Sequence, residues 1–155
     1  MNKSLSRGIL MTQVDKLSIY LIGALANPEI PHIATKLRSE GFDVFDDWWS
    51  AGPLADSYLL DYAKKRNLNY KAALQTYAAK HIFEFDKLHL DRCDTAIMVM
   101  KAGKSAHLEL GYAAGRGKKT YILFDKEPSR VDIMYQFANN IFFNVEELID
   151  ELKKL

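Results

Sequence analysis

The sequence predicts a three-layer α/β/α domain with a five-stranded, mostly parallel sheet. Three observations carry this. Five short apolar runs recur along the chain, each too short for a helix and too uniformly apolar for a strand with one wet face. Helical stretches separate them, as crossover connections between parallel strands require. The length of 155 residues suits one domain with one full core.

Each element has a local justification. Residues 17–22 (LSIYLI) form a strand buried on both faces, closed by Gly23. Asn27-Pro28 offers a helix cap followed by a proline at the first helical position. Ile30, Ile33, Ala34 and Leu37 follow at helical spacing, and Gly41 ends the helix. Residues 42–45 are a second strand, and residues 46–55 (DDWWSAGPLA) read as a loop broken at Gly52-Pro53. A helix over 55–66 precedes a longer one over about 70–92, long enough to contain a bend. Residues 95–100 (TAIMVM) are the third strand, 101–104 a tight loop, and 105–116 a helix stopped by Gly117. A strand over 120–124, a short helix over 131–138 and a strand over 141–143 follow. Asn144 caps a last helix with early acids and late bases, as the helix dipole favours. Five such strands suggest a flavodoxin-like, doubly wound sheet, whose ligands bind beyond the carboxyl ends of the strands. Residues 1–16 read as a loosely ordered leader, and 17–155 as the domain.

Composition narrows the function. The net charge is +1, which gives no electrostatic reason for a nucleic-acid or membrane-surface partner. No apolar run reaches the ~18 residues of a membrane span, and residues 1–16 make a poor signal peptide. A cytoplasmic location is the expectation. The single cysteine, Cys93, excludes an internal disulfide and reads as a small buried residue. His32, His81, His89 and Cys93 lack metal-ligand spacing, so no metal and no cofactor are expected.

Three places could carry chemistry. Gly103-Lys104-Ser105 opens a helix after a buried strand, where free backbone N–H groups favour an anion. A phosphate-binding Walker loop needs a glycine at position 98, which is Met98, so the kinase or ATPase reading falls; a smaller anion or a sugar hydroxyl remains. Within this helix Glu109, with His107 near it, is a carboxylate among small and apolar residues (Leu108, Leu110, Gly111, Ala113). Its bland alternative is a solvated surface glutamate. Asp86 has Ile82, Phe83 and Leu90 as helical neighbours, so it is either paired with a lysine across the turn or placed to protonate something. Asp91 and Asp94 read as cap and turn residues. Asp46-Asp47-Trp48-Trp49 follows the second strand. A tryptophan there is either a stacking wall for a flat ligand or a core residue.

Together these residues resemble the nucleoside 2-deoxyribosyltransferase-like family over residues 17–152. The strongest segment is 85–118, FDKLHLDRCDTAIMVMKAGKSAHLELGYAAGRGK. It holds a helical aspartate (Asp86), a strand entered through another (Asp94), and Glu109-Leu110-Gly111-Tyr112-Ala113 on the next helix. Tyr20 and Gly23 of IYLIG resemble the family's first strand and glycine turn. The resemblance implies that Glu109 is the nucleophile attacking C1′ of a nucleoside or nucleotide. Asp86 would protonate or hold the leaving base, and Tyr20 would orient the nucleophile. Gly23, Asp46, Asp47, Trp48, Gly103, Lys104, Ser105 and His107 would line the substrate.

Two departures bear on the substrate. Family transferases carry an acid six residues before the nucleophile, against the sugar 5′-hydroxyl. Here that position is Gly103, followed by Lys104, and an anion lost with a cation gained suggests a 5′-phosphate, as in the family's nucleotide N-glycosidase branch. The transferases also lend a terminal carboxylate to a neighbour's site, whereas this chain ends in ELKKL. The family shares sites across subunits, and the aromatic region 58–85 offers an interface, so a homodimer or larger closed oligomer is expected. The alternative to an enzyme is a catalytically silent nucleotide-binding sensor or partner module with the same fold.

Overall fold

A computed structural model describes residues 15–155. The expected leader therefore lies outside the described residues, except for Asp15 and Lys16, which are exposed. Strands β1 (Ser18–Ile22), β2 (Asp43–Phe45), β3 (Thr95–Val99), β4 (Lys119–Leu123) and β5 (Asn140–Phe142) form one sheet in the order β2-β1-β3-β4-β5. All four pairings are parallel. The expected fold class holds, with a sheet wholly rather than mostly parallel.

The helices are α1 (Glu29–Ser39), α2 (Ala55–Lys65), α3 (Tyr70–Ala73), α4 (Tyr77–Arg92), α5 (Lys104–Gly115) and α6 (Val145–Leu152). Strand residues alternate between two covered faces, as a period of two demands. Ile19, Leu21, Ile97, Val99, Tyr121 and Leu123 pack with Ile30, Ala34 and Leu37 of α1 and Leu148, Ile149 and Leu152 of α6. Tyr20, Ile22, Ala96, Met98 and Ile122 pack with Leu90 of α4 and Ala106, Leu110 and Ala113 of α5.

Some elements differ from expectation. The long helix expected over 70–92 is two helices. Asn69 caps α3 through Ala72 N–H, and Thr76 caps α4 by accepting from Ala79 N–H, so the expected bend is a full interruption at 74–76. The DDWWSAGPLA loop contains a 3₁₀ turn, Asp47–Ala51, and the helix expected over 131–138 is a 3₁₀ turn, Ile133–Phe137. Pro28 takes the N-cap position rather than the first helical one, and Asn27 lies one residue before it, accepting from Glu29 N–H at 3.0 Å in the turn that leads into α1. Asn144 caps α6 through Glu147 N–H at 2.9 Å. Lys153 and Lys154 follow the helix end, and their ion pairs run to Glu40 and Glu151.

Two staples set α4 against its neighbours. The Tyr112 hydroxyl of α5 donates to Asp91 of α4 at 2.6 Å, and Lys87 pairs with the same carboxylate. Lys118 donates to the carbonyls of Asp91 and Cys93 at 2.8 and 2.6 Å, pinning the turn into β3. Asp94 accepts from the backbone N–H and hydroxyl of Ser18, which ties β1 to the start of β3 and gives Asp94 the turn role expected of it. Cys93 is buried and donates to the Leu90 carbonyl. The outer surfaces of α2 and α4 expose Tyr58, Leu60, Tyr77, Ile82 and Phe83, within the region the sequence marks for self-association.

Ile97 lies at the centre of the middle strand and is fully buried. Ile97→Ala is expected to lower stability by about 2–5 kcal/mol, through lost transfer energy and a cavity between stiff layers. Urea unfolding would show this as a lower midpoint with an unchanged slope. A loss below about 1 kcal/mol would mean that the sheet collapses around the hole.

Candidate active site

The strand order reverses between β1 and β3, because the chain leaves β1 for β2 on one side and returns to β3 on the other. A crevice opens at such a switch point. Tyr20 stands on β1 at this place, opposite Ala96 of β3 and Phe45 of β2 in register. Its side chain is 1% exposed and points to the α4/α5 face.

Helix rotation supplies the two acids. On α5 the buried stripe is Ala106, Leu110 and Ala113, at spacings of four and three. Glu109 sits beside that stripe, half-buried, with its carboxylate near enough to the Tyr20 hydroxyl for each to shift the other's proton affinity. On α4 the buried anchor is Leu90, and Asp86 lies one turn before it on the same face. Asp86 is also half-buried and close enough for its charge to act on both Glu109 and Tyr20. Neither bland alternative fits. Glu109 is no solvated surface residue, and the lysine next to Asp86, Lys87, pairs with Asp91 instead.

The electrostatics follow from crowding anions in a half-dry volume. Burial raises the Glu109 pKa from 4.5 to about 7, the Asp86 carboxylate adds to the rise, and the Tyr20 hydroxyl opposes it. Burial also raises Asp86, with His89 pulling the other way. The Tyr20 phenol is pushed up by burial and by both carboxylates, so it stays a protonated donor. Near neutral pH Glu109 is therefore poised between its protonated and ionised forms.

The remaining expected residues occupy the rim. Gly23 ends β1 where a Cβ would meet Ile30 Cδ1 at 2.6 Å and the Trp48 ring at 3.6 Å, so its missing side chain is space already filled. Trp48 donates its indole N–H to the Leu21 carbonyl at 2.7 Å and packs against both core clusters. Trp49 donates to the Asn27 carbonyl at 3.0 Å. Both indoles thus hold the loop to the core by their N–H edges. Asp46 pairs with Arg38, whereas Asp47 is exposed at the start of the 3₁₀ turn. Gly103 precedes α5 in extended conformation, with Lys104 and Ser105 exposed on the first turn and no side-chain cap. Here Ala102, Gly103, Lys104, His107 and Leu108 line an open depression of about 570 Å³. His107 donates Nδ1–H to the Gly103 carbonyl at 2.7 Å. Its Nε2 then accepts from the Tyr135 hydroxyl at 3.0 Å, which joins the 3₁₀ turn 133–137 to α5.

Sequence reasoning missed an aromatic group beside Asp86. Phe45 lies 5.0 Å from Tyr20 between ring centroids, His89 stacks on Phe45 at 3.9 Å, and Phe85 meets both. Phe85 is 43% exposed and so presents a ring to solvent next to Asp86. The available signal was helical spacing: Phe85 and His89 bracket Asp86 at i−1 and i+3. Among the described residues no group of three or more His, Cys, Asp or Glu is placed to hold a metal ion, and no helix is long and apolar enough to cross a membrane.

A doubly wound, five-stranded α/β/α sheet with two acids and a phenol at its switch point is the class of protein this geometry defines. Solved structures share the fold. A 2-deoxyribosyltransferase from the psychrotolerant bacterium Bacillus psychrosaccharolyticus aligns with a TM-score of 0.57 at 17% identity, covering 86% of this chain and 90% of that one. The Clostridium botulinum CMP N-glycosidase, BcmB, aligns with a TM-score of 0.53 at 16% identity, covering 88% of this chain and 98% of that one. No family model and no curated protein matches the sequence.

The raised Glu109 pKa makes a stability prediction. The fold favours the protonated carboxyl, so this contribution is full below about pH 4.5 and lost as pH rises through about 7. Glu109→Gln removes the titration. The mutant should gain on the wild type between pH 5 and 8 by at most roughly 3 kcal/mol. Urea midpoints of both proteins at the two pH values read this out. An equal gap at pH 5 and 8 would show that Glu109 titrates normally.

Proposed function

We propose that this protein cleaves, or transfers across, the N-glycosidic bond of a nucleoside or nucleoside 5′-monophosphate. The observation that carries the reading is the convergence of Glu109, Asp86 and the Tyr20 hydroxyl at the switch point of the sheet. Support comes from the resemblance of residues 85–118 and from a fold shared with a deoxyribosyltransferase and a CMP N-glycosidase.

The roles combine the family resemblance with the placement of these side chains. Glu109, ionised, attacks C1′ as the oxocarbenium-like centre develops. Tyr20, held protonated by its buried position, favours ionised Glu109 and fixes its direction. Asp86 delivers a proton to the departing base nitrogen. The exposed ring of Phe85 gives a flat base an apolar surface beside that proton donor. A 5′-phosphate reaches the first turn of α5, where free N–H groups, Lys104 and Ser105 favour an anion.

Incubation with pooled nucleosides and nucleoside monophosphates, scored by chromatography for released base, is the first test. Binding without release would favour a silent sensor. Given a substrate, Glu109→Gln should lose several orders of magnitude in base release, and a 2-fluoro sugar should leave a glycosyl adduct on Glu109 visible by mass spectrometry. Wild-type turnover by Glu109→Gln would remove it from the mechanism.

The pH profile is more diagnostic still. Productive chemistry needs one proton on the acid pair, placed on Asp86. With Glu109 near 7, kcat/KM should be bell-shaped and fall above about pH 7 as the last proton leaves. In Asp86→Asn only Glu109 titrates. The alkaline fall should vanish and leave a single acid limb, because neutral Asn stands in for protonated Asp86, and activity should suffer least for bases that depart easily. An alkaline fall that persists in Asp86→Asn would assign the proton donor elsewhere.

Lys104→Ala tests the phosphate. Loss of one charge-assisted contact, about 1.5–3 kcal/mol, should raise KM roughly 10- to 100-fold for a monophosphate and leave the parent nucleoside nearly unchanged. Equal changes for both substrates would show that this turn does not read phosphate.

A further inference from the structure

The two acids of the site stand on different helices, and the core does little to fix one helix against the other. Among the 16 residues of α4, Leu90 is the buried one. Phe85 and His89 lean α4 on Phe45, toward β2 and away from α5. On α5 the buried residues are Ala106, Leu110 and Ala113, and they pack with the central strands. Two of these three are alanines, which add few dispersion contacts to hold a neighbouring helix. A helix with one buried anchor can rock about it unless something else stops the motion.

A polar contact between the helices does so. The Tyr112 hydroxyl of α5 donates to Asp91 Oδ1 at 2.6 Å, and Asp91 Oδ2 accepts from Lys87 Nζ at 2.6 Å within α4. Lys87 Nζ also lies 5.3 Å from the centre of the Tyr112 ring. Asp91 accepts as an anion, because Lys87 first and Tyr112 next hold its carboxyl below the usual range, with Arg116 adding a smaller pull. A hydroxyl bonded to a carboxylate is a short, directional contact. Its level in the fold matters as much. Both helices run from the ligand edge of the sheet toward the opposite edge, since α4 leads into β3 and α5 into β4. Tyr112 is three residues beyond Glu109, and Asp91 is five beyond Asp86. At about 1.5 Å of rise per residue the contact lies roughly 4–8 Å below the two acids. A tie at that depth limits how far the helices spread above it.

We propose that Tyr112 and Asp91 are positioning residues, whose hydrogen bond holds α4 against α5 and so sets the separation of Asp86 and Glu109. The catalytic consequence rests on the N-glycosidic reading, whereas the mechanical link does not. In Tyr112→Phe the ring stays and so does the Lys87–Asp91 pair, which lies within one helix. Only the tie between the helices is lost. The acids then move apart and water enters between them. Glu109 loses part of the burial and part of the Asp86 repulsion that raise its proton affinity. The charged and titratable groups that act on Glu109 are Asp86 of α4 and Tyr20 of β1, and the variant keeps both. A change in Glu109 therefore reports on their distance. For glycosidic cleavage the nucleophile must reach C1′ while the proton donor reaches the base nitrogen. A misplacement of about 1 Å in such a pair costs up to about 100-fold in rate.

Two measurements test this. The first needs no substrate. The Glu109 carboxyl is titrated by carbon-13 NMR in the wild type, in Tyr112→Phe and in Ile149→Val. Ile149 packs on the other face of the sheet, so its variant loosens the fold without touching the helix pair. The Glu109 midpoint should fall by about half a pH unit or more in Tyr112→Phe and stay in place in Ile149→Val. A midpoint unmoved in Tyr112→Phe, or an equal fall in Ile149→Val, overturns the proposal. If Tyr112→Phe does not fold, Lys87→Met combined with Asp91→Ala breaks the tie from the α4 side and frees no lysine. The same fall is then expected, and an unmoved midpoint overturns the proposal. The second measurement uses a nucleoside or nucleotide whose base the wild type releases. Tyr112→Phe should lower kcat roughly 10- to 100-fold with KM within about twofold. The alkaline limb of its pH profile should move to lower pH in step with the Glu109 midpoint. An unchanged kcat would overturn the positioning role. Absence of base release by the wild type would sink the N-glycosidic reading and leave the link between the helices to the titration.

Discussion

Two carboxylates and a phenol share one half-buried volume between β1, α4 and α5, and the surrounding structure is organised to keep them there. Left to themselves, Glu109 and Asp86 would separate into water, because burial and mutual repulsion both disfavour their charged forms. What prevents this is packing on either side of each acid. Ala106, Leu110 and Ala113 lock the rotation of α5, and Leu90 locks that of α4. The Tyr20 hydroxyl offsets part of the cost by favouring ionised Glu109. A site that destabilises its own fold as pH rises is a common consequence of holding reactive groups out of solvent.

The staples around this volume are built from polar groups fully used elsewhere. Asp91 accepts from Tyr112 and pairs with Lys87, so the α4–α5 spacing is set by a carboxylate that is not itself in the site. Lys118 closes the turn before β3 by donating to two carbonyls. Trp48 and Trp49 fasten the loop after β2 by their N–H edges. These contacts occupy Lys87, the lysine that could otherwise neutralise Asp86. The rim, by contrast, is loosely committed. Lys104 and Ser105 are exposed on the first turn of α5, and the His107–Tyr135 hydrogen bond bridges that turn to the next segment.

Much of this was legible in the sequence, for identifiable reasons. Strands buried on both faces leave continuous apolar runs, and capping residues leave a signature that survives without tertiary context. The strands and most helices were therefore found to within a residue or two. The 3₁₀ turns at Asp47–Ala51 and Ile133–Phe137 and the break at 74–76 were not, because each depends on which side chains a loop can anchor. Thr76 could cap a new helix as readily as continue an old one, and spacing alone does not distinguish the two.

For the site, local sequence marked which residues are candidates for chemistry and on which element each sits: an acid among small residues on one helix, an acid one turn before an apolar anchor on another, and a tyrosine in a buried strand. Only the tertiary structure decided that these three meet. Tyr20 lies 66 and 89 positions from Asp86 and Glu109, and the strand order β2-β1-β3 brings them to one crevice. The same is true of Phe45 and His89, whose stacking joins β2 to α4 across a sequence gap with no local signal. Burial settled the rest, since a carboxylate's distance from water shifts its proton affinity, and that distance belongs to the packed layers rather than to any stretch of chain.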